Sequence, residues 1–314
     1  MRTTDERTAV EQIRDDSGYD VAGVLAFGDS EQMADNLLDC VRRGPKRATA
    51  GLVAEYESDD EPLPTVGSYW GVLDGRGVPQ VVIETTDVRV GPVASVDHAF
   101  AWDEGENDRT RVGWLDAHRS FFRRRGCDDP DAAPCVFERF RVVWPEPDDT
   151  VWLADGVREL RVDERAWMVE TLSRRWGGTD MVSRGVLLDA ADMPALIAER
   201  DGMAVGLLTF LPRHGGHTEI VTIDAFPAGA GTGGLLLDAV AELGRHNGWR
   251  RLWLVTTNDN TPALRSHQRH GFDMIALHHG AIAVSRTLKP QIPLIGIDGI
   301  PVEHEIELEL VLGS

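Results

Sequence analysis

The run Gly229-Ala230-Gly231-Thr232-Gly233-Gly234 passes directly into Leu235-Leu236-Leu237-Asp238-Ala239-Val240, which has helical character. Ahead of it, Glu219-Ile220-Val221-Thr222-Ile223 is a β-branched run that reads as a buried strand, and Leu252-Trp253-Leu254-Val255 reads as the next one. Strand, glycine loop, helix and strand make a βαβ unit. Glycines at a strand-to-helix junction leave backbone N–H groups bare, and the helix N-terminus adds a partial positive charge. Together they form a seat for a pyrophosphate.

Several phosphate-binding folds use such a seat. An NTPase loop needs G-K-[ST] after its first glycine, and no lysine stands there. A dinucleotide-binding fold wants G-x-G-x-x-G near its start and an acid about 20 residues later. The spacing here is only an approximate match, and the loop lies deep in the chain.

A second element narrows the choice. Asn260-x-x-Ala263-x-x-x-His267-x-x-x-Gly271-Phe272 resembles the closing motif of the GNAT acetyltransferase superfamily. The loop resembles that superfamily's R-x-x-G-x-G/A signature, with Gly231 and Gly233 on its two glycines. The resemblance covers about residues 155–314 and implies an α/β fold with a mixed central sheet and acetyl-CoA as cofactor. It implies further that the strand around Val221 and Ile223 offers backbone groups to the pantetheine arm. Residues 229–234 would wrap the pyrophosphate, and Asn260 would meet the pantetheine end.

Two positions depart from the pattern. The signature arginine or glutamine falls on Ala228, and the tyrosine that protonates the leaving thiolate in many members falls on His267. A histidine can donate a proton near neutral pH, so His267 is either the acid or simply a helix residue. Glu219, on the strand entering the loop, is the candidate general base, against the plainer reading of a solvated strand-edge acid. His214 and His217 flank the same region and are further candidates. Beyond them, Glu305 to Leu310 alternates acid and apolar residues, the period of a half-buried strand. An edge strand with a charged outer face is the expectation there.

Charge limits the partners. The chain of 314 residues carries 52 acids against 32 bases, a net −20, which opposes wholesale binding to a nucleic-acid backbone. No apolar run approaches a membrane span, and the N-terminus has no signal-peptide core. Cys40, Cys127 and Cys135 form neither a metal spacing nor an even disulfide set, so no metal is expected and a reduced cytoplasmic setting fits. Lys46 and Lys289 are the only two lysines. Arginine cannot replace lysine where the amine must lose its proton, so each surviving lysine raises a chemical question.

The proline- and acid-rich stretch Trp144-Pro145-Glu146-Pro147-Asp148-Asp149-Thr150 marks a linker. The expected division is an extension at 1–23, a domain at 24–145, a linker at 146–154 and a second domain at 155–314. In the first domain Ser30 can cap a helix running to about Arg43. Strands are expected through Tyr69 and Val72, at Val81–Glu84 and at Val136–Val143, with Asp74-Gly75-Arg76-Gly77 as a hairpin turn. Short strands with few helices suggest a small barrel-like α+β domain.

Phe27-Gly28-Asp29-Ser30, Gly44-x-Lys46-x-x-Thr49, Glu104-Gly105-Glu106 and Glu138-Arg139-Phe140-Arg141-Val142 resemble an ASCH domain over about residues 24–145. ASCH domains are similar to RNA-binding folds, and some relatives hydrolyse N4-acetylcytidine with a Lys, a Thr and a Glu. The resemblance places these on Lys46, on Thr49 and on Glu106 or Glu104. A desolvated Lys46 would then take the proton of the Thr49 hydroxyl. Alternatively, Lys46 belongs to a solvated basic patch with Arg42, Arg43 and Arg47, or contacts a phosphate. Binding of RNA or a nucleoside-like small molecule is the first reading, amide hydrolysis the second, and a structural role the third. The whole chain thus reads as an ASCH domain fused to an N-acetyltransferase acting on an amine acceptor, with a degenerate second half as the rival.

Overall fold

The computed structural model describes residues 4–145, 153, 156–227 and 229–313, and it forms two compact units, Met1–Asp149 and Thr150–Ser314. Apart from Leu153, the linker expected at 146–154 lies outside the described residues, as does Ala228.

The first unit contains α1 (Thr4–Ser17), β1 (Gly23–Leu25), α2 (Glu31–Arg43), β2 (Ala48–Leu52), α3 (Val53–Ser58), β3 (Tyr69–Leu73), β4 (Pro79–Pro92), α4 (His98–Glu104), α5 (Arg111–Arg124) and β5 (Pro134–Trp144). Its sheet runs β1-β3-β4-β5-β2, antiparallel except for the parallel β1–β3 pair. Register shifts between Val82/Ile83 and Thr85/Asp87 bend the long β4. Each extra residue sharpens the local twist, and the sheet curls into a half-barrel.

Phe27, Val72, Val81, Ile83, Phe140 and Val142 cluster on one side of that sheet. On the other, Phe100 of α4 meets Phe137 edge-to-face at 5.0 Å, with Trp114 and Phe122 of α5 behind. More helix is present than the sequence suggests, because α4 and α5 are needed to cover this second face. Within the stretch 1–23, residues 4–17 form α1, and β1 begins at Gly23. Val10 and Ile13 are buried there with Val21 and Val82.

Local signals set the helix ends. Ser30 caps α2 by accepting from Met33 N, and Asp97 caps α4 by accepting from Phe100 N. α4 stops at Gly105, whose φ of 72° is left-handed. A Cβ there would come within 2.7 Å of Lys46 N, so glycine is what lets the two segments touch.

The second unit contains β6 (Val157–Glu159), α6 (Arg165–Trp176), β7 (Asp180–Ser183), β8 (Val186–Asp189), β9 (Ala195–Arg200), β10 (Met203–Arg213), β11 (His217–Ala225), α7 (Thr232–His246), β12 (Arg251–Thr257), α8 (Thr261–Arg269), β13 (Asp273–His278), α9 (Ala281–Leu288) and β14 (Glu305–Val311). The sheet order is β13-β14-β12-β11-β10-β9-β6, with β11 and β12 parallel and the other pairs antiparallel. Met168 and Leu172 of α6 pack against Leu207 and Leu211. Gly206 faces the other way, where a side chain would collide with Thr232 and Leu236 of α7. α6 and α7 therefore lie on opposite faces of the sheet.

β14 is not the edge strand expected from its alternation. It lies between β12 and β13, and Glu305 and Glu307 are buried. The chain leaves the sheet after β13, forms α9, and returns inside β13, so the acids meet partners from several elements. Glu305 accepts from Ser285 Oγ at 2.8 Å, and Glu307 accepts from Arg251 at 3.2 Å and stands 3.0 Å from His278 Nε2. Asn258 holds the returning chain by accepting from Glu303 N and His304 N, and Asp259 accepts from Ile297 N.

Candidate functional site

β11 and β12 pair at His217–Arg251, Thr218–Leu252, Glu219–Trp253 and Ile220–Leu254, and there the ladder ends. Both strands continue, β11 still paired with β10 to Ala225 and β12 with β14 to Thr257. They part, and the facing backbone groups of the Val221–Ile223 and Val255–Thr257 segments have no ladder partner across the gap. A bulge falls at the same point, since Ile220 opposes Phe210 while Thr222 opposes Thr209, leaving Val221 as the extra residue. The gap leaves strand edges whose backbone groups an extended chain could bond.

β11 leads into the glycine loop. Gly229 and Gly231 have φ of 84° and 82°, values that favour glycine, and Gly231 is the N-cap of α7. A Cβ on Gly229, Gly231 or Gly233 would meet nothing within 4 Å, so this flank of the loop is open. The next helical bond runs from Leu235 N to Gly231 O, so the N–H groups of Thr232, Gly233 and Gly234 have no acceptor inside the helix. The Thr232 hydroxyl is buried and has no partner. Gly234 is the exception on crowding: its α-carbon lies against the ring of His270.

Asn260 caps α8, its Oδ1 accepting from Ala263 N at 3.3 Å. Its backbone N–H donates to Thr257 O and its carbonyl accepts from Leu264 N, so the side-chain amide is what it can offer a ligand. Glu219 lies on a central strand and is 1% exposed, so the solvated strand-edge reading does not hold. Burial pushes its carboxyl above the ordinary range, against the pull of Ser183, Arg213 and Arg184. Its ion-pair partner is Arg213, at 3.2 Å. His214 and His217 are exposed at the β10–β11 turn.

His267 lies on α8. It is buried with its ring 5.8 Å from Phe272, and its Nδ1 has no partner. Burial, then the neighbouring His270, push its pKa down to about 4. The ring is neutral at pH 7 because a buried imidazolium with no anion beside it is costly.

In the first unit Lys46 Nζ lies 2.5 Å from Glu106 Oε1 and 3.5 Å from the Glu104 carbonyl, over the ring of Phe27 at 5.1 Å. Lys46 is 1% exposed, which removes the reading of a solvated basic patch. The two candidate glutamates separate: Glu106 holds Lys46, whereas the Glu104 carboxylate stands 3.5 Å from His118 Nε2. Burial raises the Glu104 pKa, but His118 and Lys46 together hold it below the ordinary carboxylate range. Burial opposes charge on His118 too, and Glu104 outweighs it, so the imidazole is held above its usual value. Thr49 is half-buried opposite Glu138 on β5, and its hydroxyl is not among the polar contacts of Lys46.

The "ASCH domain" family model matches residues 23–144, and the "Acetyltransferase (GNAT) family" model matches residues 139–272. The chain joins an ASCH domain to a GNAT-family acetyltransferase domain. Two curated Bacillus subtilis (strain 168) proteins are similar to part of it. The uncharacterized protein YdhI is 31% identical over 147 residues, 46% of this chain and 91% of that protein. The uncharacterized protein YxbD is 32% identical over 137 residues, 43% of this chain and 85% of that protein. Among solved structures, an ASCH domain from Lactobacillus crispatus JV V101 is 29% identical, covering 45% of this chain and 94% of its own, with a TM-score of 0.39. A Bacillus subtilis acetyltransferase in complex with CoA is 19% identical, covering 49% and 97%, with a TM-score of 0.36.

Reading the sequence missed several polar groups in the ASCH domain. His118 is one, since nothing in a lone helical histidine announces a buried carboxylate partner. Glu138 is another: it is buried, and its Oε1 accepts from Thr85 Oγ1 at 2.6 Å. In the GNAT domain Lys289 turns out to be a clamp, donating to the carbonyls of Asp180 at 2.7 Å and Trp176 at 3.1 Å. That answers the question its survival raised. Among the described residues no cluster of three or more His, Cys, Asp or Glu could hold a metal, and no helix is long and apolar enough to cross a membrane.

Proposed function

We propose that the GNAT domain transfers an acetyl group from acetyl-CoA to an amine. The observation that carries this reading is the parting of β11 and β12 beyond Ile220 and Leu254, on the strand that enters the glycine loop. The residues fit the cofactor at both ends. Unbonded N–H groups at Thr232, Gly233 and Gly234 suit a pyrophosphate, with Gly229, Ala230 and Gly231 forming the loop around it. Bare edges at Val221 and Ile223 suit the pantetheine arm, with Asn260 near its end. Bound acetyl-CoA would supply an activated acetyl thioester. Glu219 is the general base, its raised pKa suiting it to take a proton from the acceptor ammonium. His267 is neutral at working pH and is not assigned the acid role.

Calorimetric titration of the full chain with acetyl-CoA tests the reading. Saturable binding is expected, and no heat at a large excess of cofactor would sink it. The three cysteines are all free thiols, in keeping with a cytoplasmic setting.

For the ASCH domain we favour binding of RNA or a nucleoside-like small molecule beside the buried Lys46–Glu106 pair. Hydrolysis of an N4-acetylcytidine-type amide is the second reading, with Thr49 as its nucleophile. The Lys46–Glu106 contact argues against Lys46 as a free base in the present arrangement. Incubation with N4-acetylcytidine, beside a Lys46→Ala control, separates the two. Equal turnover by both proteins would remove Lys46 from any hydrolytic mechanism.

A further inference from the structure

Two half-exposed arginines, Arg213 and Arg184, bear on the buried carboxylate of Glu219. Arg213 is ion-paired to it at 3.2 Å with 45% of its side chain exposed. Arg184 bears on the same carboxyl and is 50% exposed; its guanidinium stands 3.8 Å from Glu307, and its backbone N–H donates to Glu305 at 3.1 Å. Its guanidinium lies over the ring of Trp253, 5.6 Å from the centroid, and Trp253 is the register partner of Glu219. The Ser183 hydroxyl, one residue away, also bears on the Glu219 carboxyl.

Arg184 also occupies a strained position. With Gly185 it forms the two-residue turn between β7 and β8, closed by the Ser183–Val186 pair, with φ of 49° and 73°. Two positive φ values define a turn that favours Asn, Asp or Gly at its first position. A long arginine there works against the turn, and strain of this kind points to a use for the side chain.

We propose that the acceptor is a zwitterion, an amino acid with free amino and carboxylate groups. The proposal rests on the acetyl-transfer reading. Glu219 takes the ammonium end, and Arg184 and Arg213 take the carboxylate. The ammonium passes one proton to Glu219, and the freed lone pair forms the C–N bond to the acetyl carbon as the C–S bond breaks. The nitrogen then loses its second proton, which leaves with the thiolate as thiol, and Glu219 returns its own proton to water. When Arg213 turns from Glu219 to the substrate carboxylate, Glu219 loses its stabilising partner and becomes the stronger base.

Calorimetry on the full chain tests this. The protein is titrated first with CoA, then at CoA saturation with a panel of L-amino acids and the same amino acids as primary amides. At least one amino acid should bind, and its amide should bind at least roughly tenfold more weakly, the scale of a lost charge-assisted hydrogen bond. Arg184→Asn should weaken that amino acid by about tenfold while raising the melting temperature, because asparagine suits the turn. Arg184→Lys should recover part of the binding, and Arg213→Gln gives a second variant outside the turn. If CoA binds but no amino acid does, or if amides bind as well as acids, the zwitterion assignment is overturned while the acetyl-transfer reading stands. Failure of CoA itself to bind would remove that reading and this one with it.

Discussion

Lys46 Nζ stands 2.5 Å from Glu106 Oε1 on the margin of the ASCH half-barrel, the lysine buried and the glutamate about a quarter exposed. Glu106→Gln would leave the ammonium without its counter-charge. We expect a loss of about 2 kcal/mol, less than the ~3–5 kcal/mol for a fully buried pair because water reaches one partner. Lys46→Met, which removes the buried charge itself, should cost less. Urea titration of the two variants checks the order, and the reverse order would contradict the ion-pair account.

The Glu104–His118 pair predicts a stability window in pH. Glu104 is held below its ordinary 4.5, so its contribution is present above that value and is lost as pH falls through the folded pKa. His118 is held above its ordinary 6.5, so its contribution is complete below that value and is lost as pH rises through the folded pKa. The pair therefore supports the ASCH domain best between the two. His118→Gln should flatten the alkaline side, read as amide hydrogen exchange in α4 and α5 against pH. An unchanged alkaline slope would rule the pair out as its source.

His267 predicts the opposite limb in the GNAT domain. The folded ring titrates at about 4 and the free one near 6.5, so the unfolded chain gains the proton first as pH falls. Stability contributed above 6.5 is lost between 6.5 and 4, by up to about 3 kcal/mol. His267→Leu should remove most of that slope in melts taken across the range. A variant as acid-sensitive as the parent would show that the ring is not buried and neutral.

Gly231 and Gly234 should fail differently when changed to alanine. At Gly231 there is open space but φ is 82°, so the penalty is a backbone one of roughly 1–2 kcal/mol, and the new methyl intrudes on the phosphate seat. CoA should bind about tenfold more weakly while pantetheine, which lacks the pyrophosphate, is little affected. At Gly234 the methyl meets His270 and disturbs how α7 and α8 pack, so stability should fall as well. Equal losses for CoA and pantetheine in Gly231→Ala would argue against a phosphate role.

Lys289→Met should destabilise by about 1–2 kcal/mol, because the carbonyls of Trp176 and Asp180 lose their charged donor. CoA affinity should not change. A variant of parental stability would show that water replaces the ammonium without loss.

Much of this architecture was written in short-range patterns. The strand, glycine loop, helix and strand around residues 219–255 depend on β-branched runs and on φ values that favour glycine, both local properties. So do the Ser30 cap and the Asp74-Gly75-Arg76-Gly77 turn, where Asp74 Oδ1 accepts from Arg76 N and Val78 N. The candidate cofactor loop was legible for the same reason. What the sequence left open were questions of partner and burial. Alternation in residues 305–310 is the same for an edge strand and an inner one, and only the return of the chain between β12 and β13 buried Glu305 and Glu307. Spacing could not separate Glu104 from Glu106, because two acids flanking a left-handed glycine point to different neighbours once α4 ends. Nor could it show that His267 is neutral or that Arg184 reaches Trp253. Local backbone preference decides which elements form; desolvation and long-range pairing, which exist only in the assembled fold, decide which side chains carry charge and what they face.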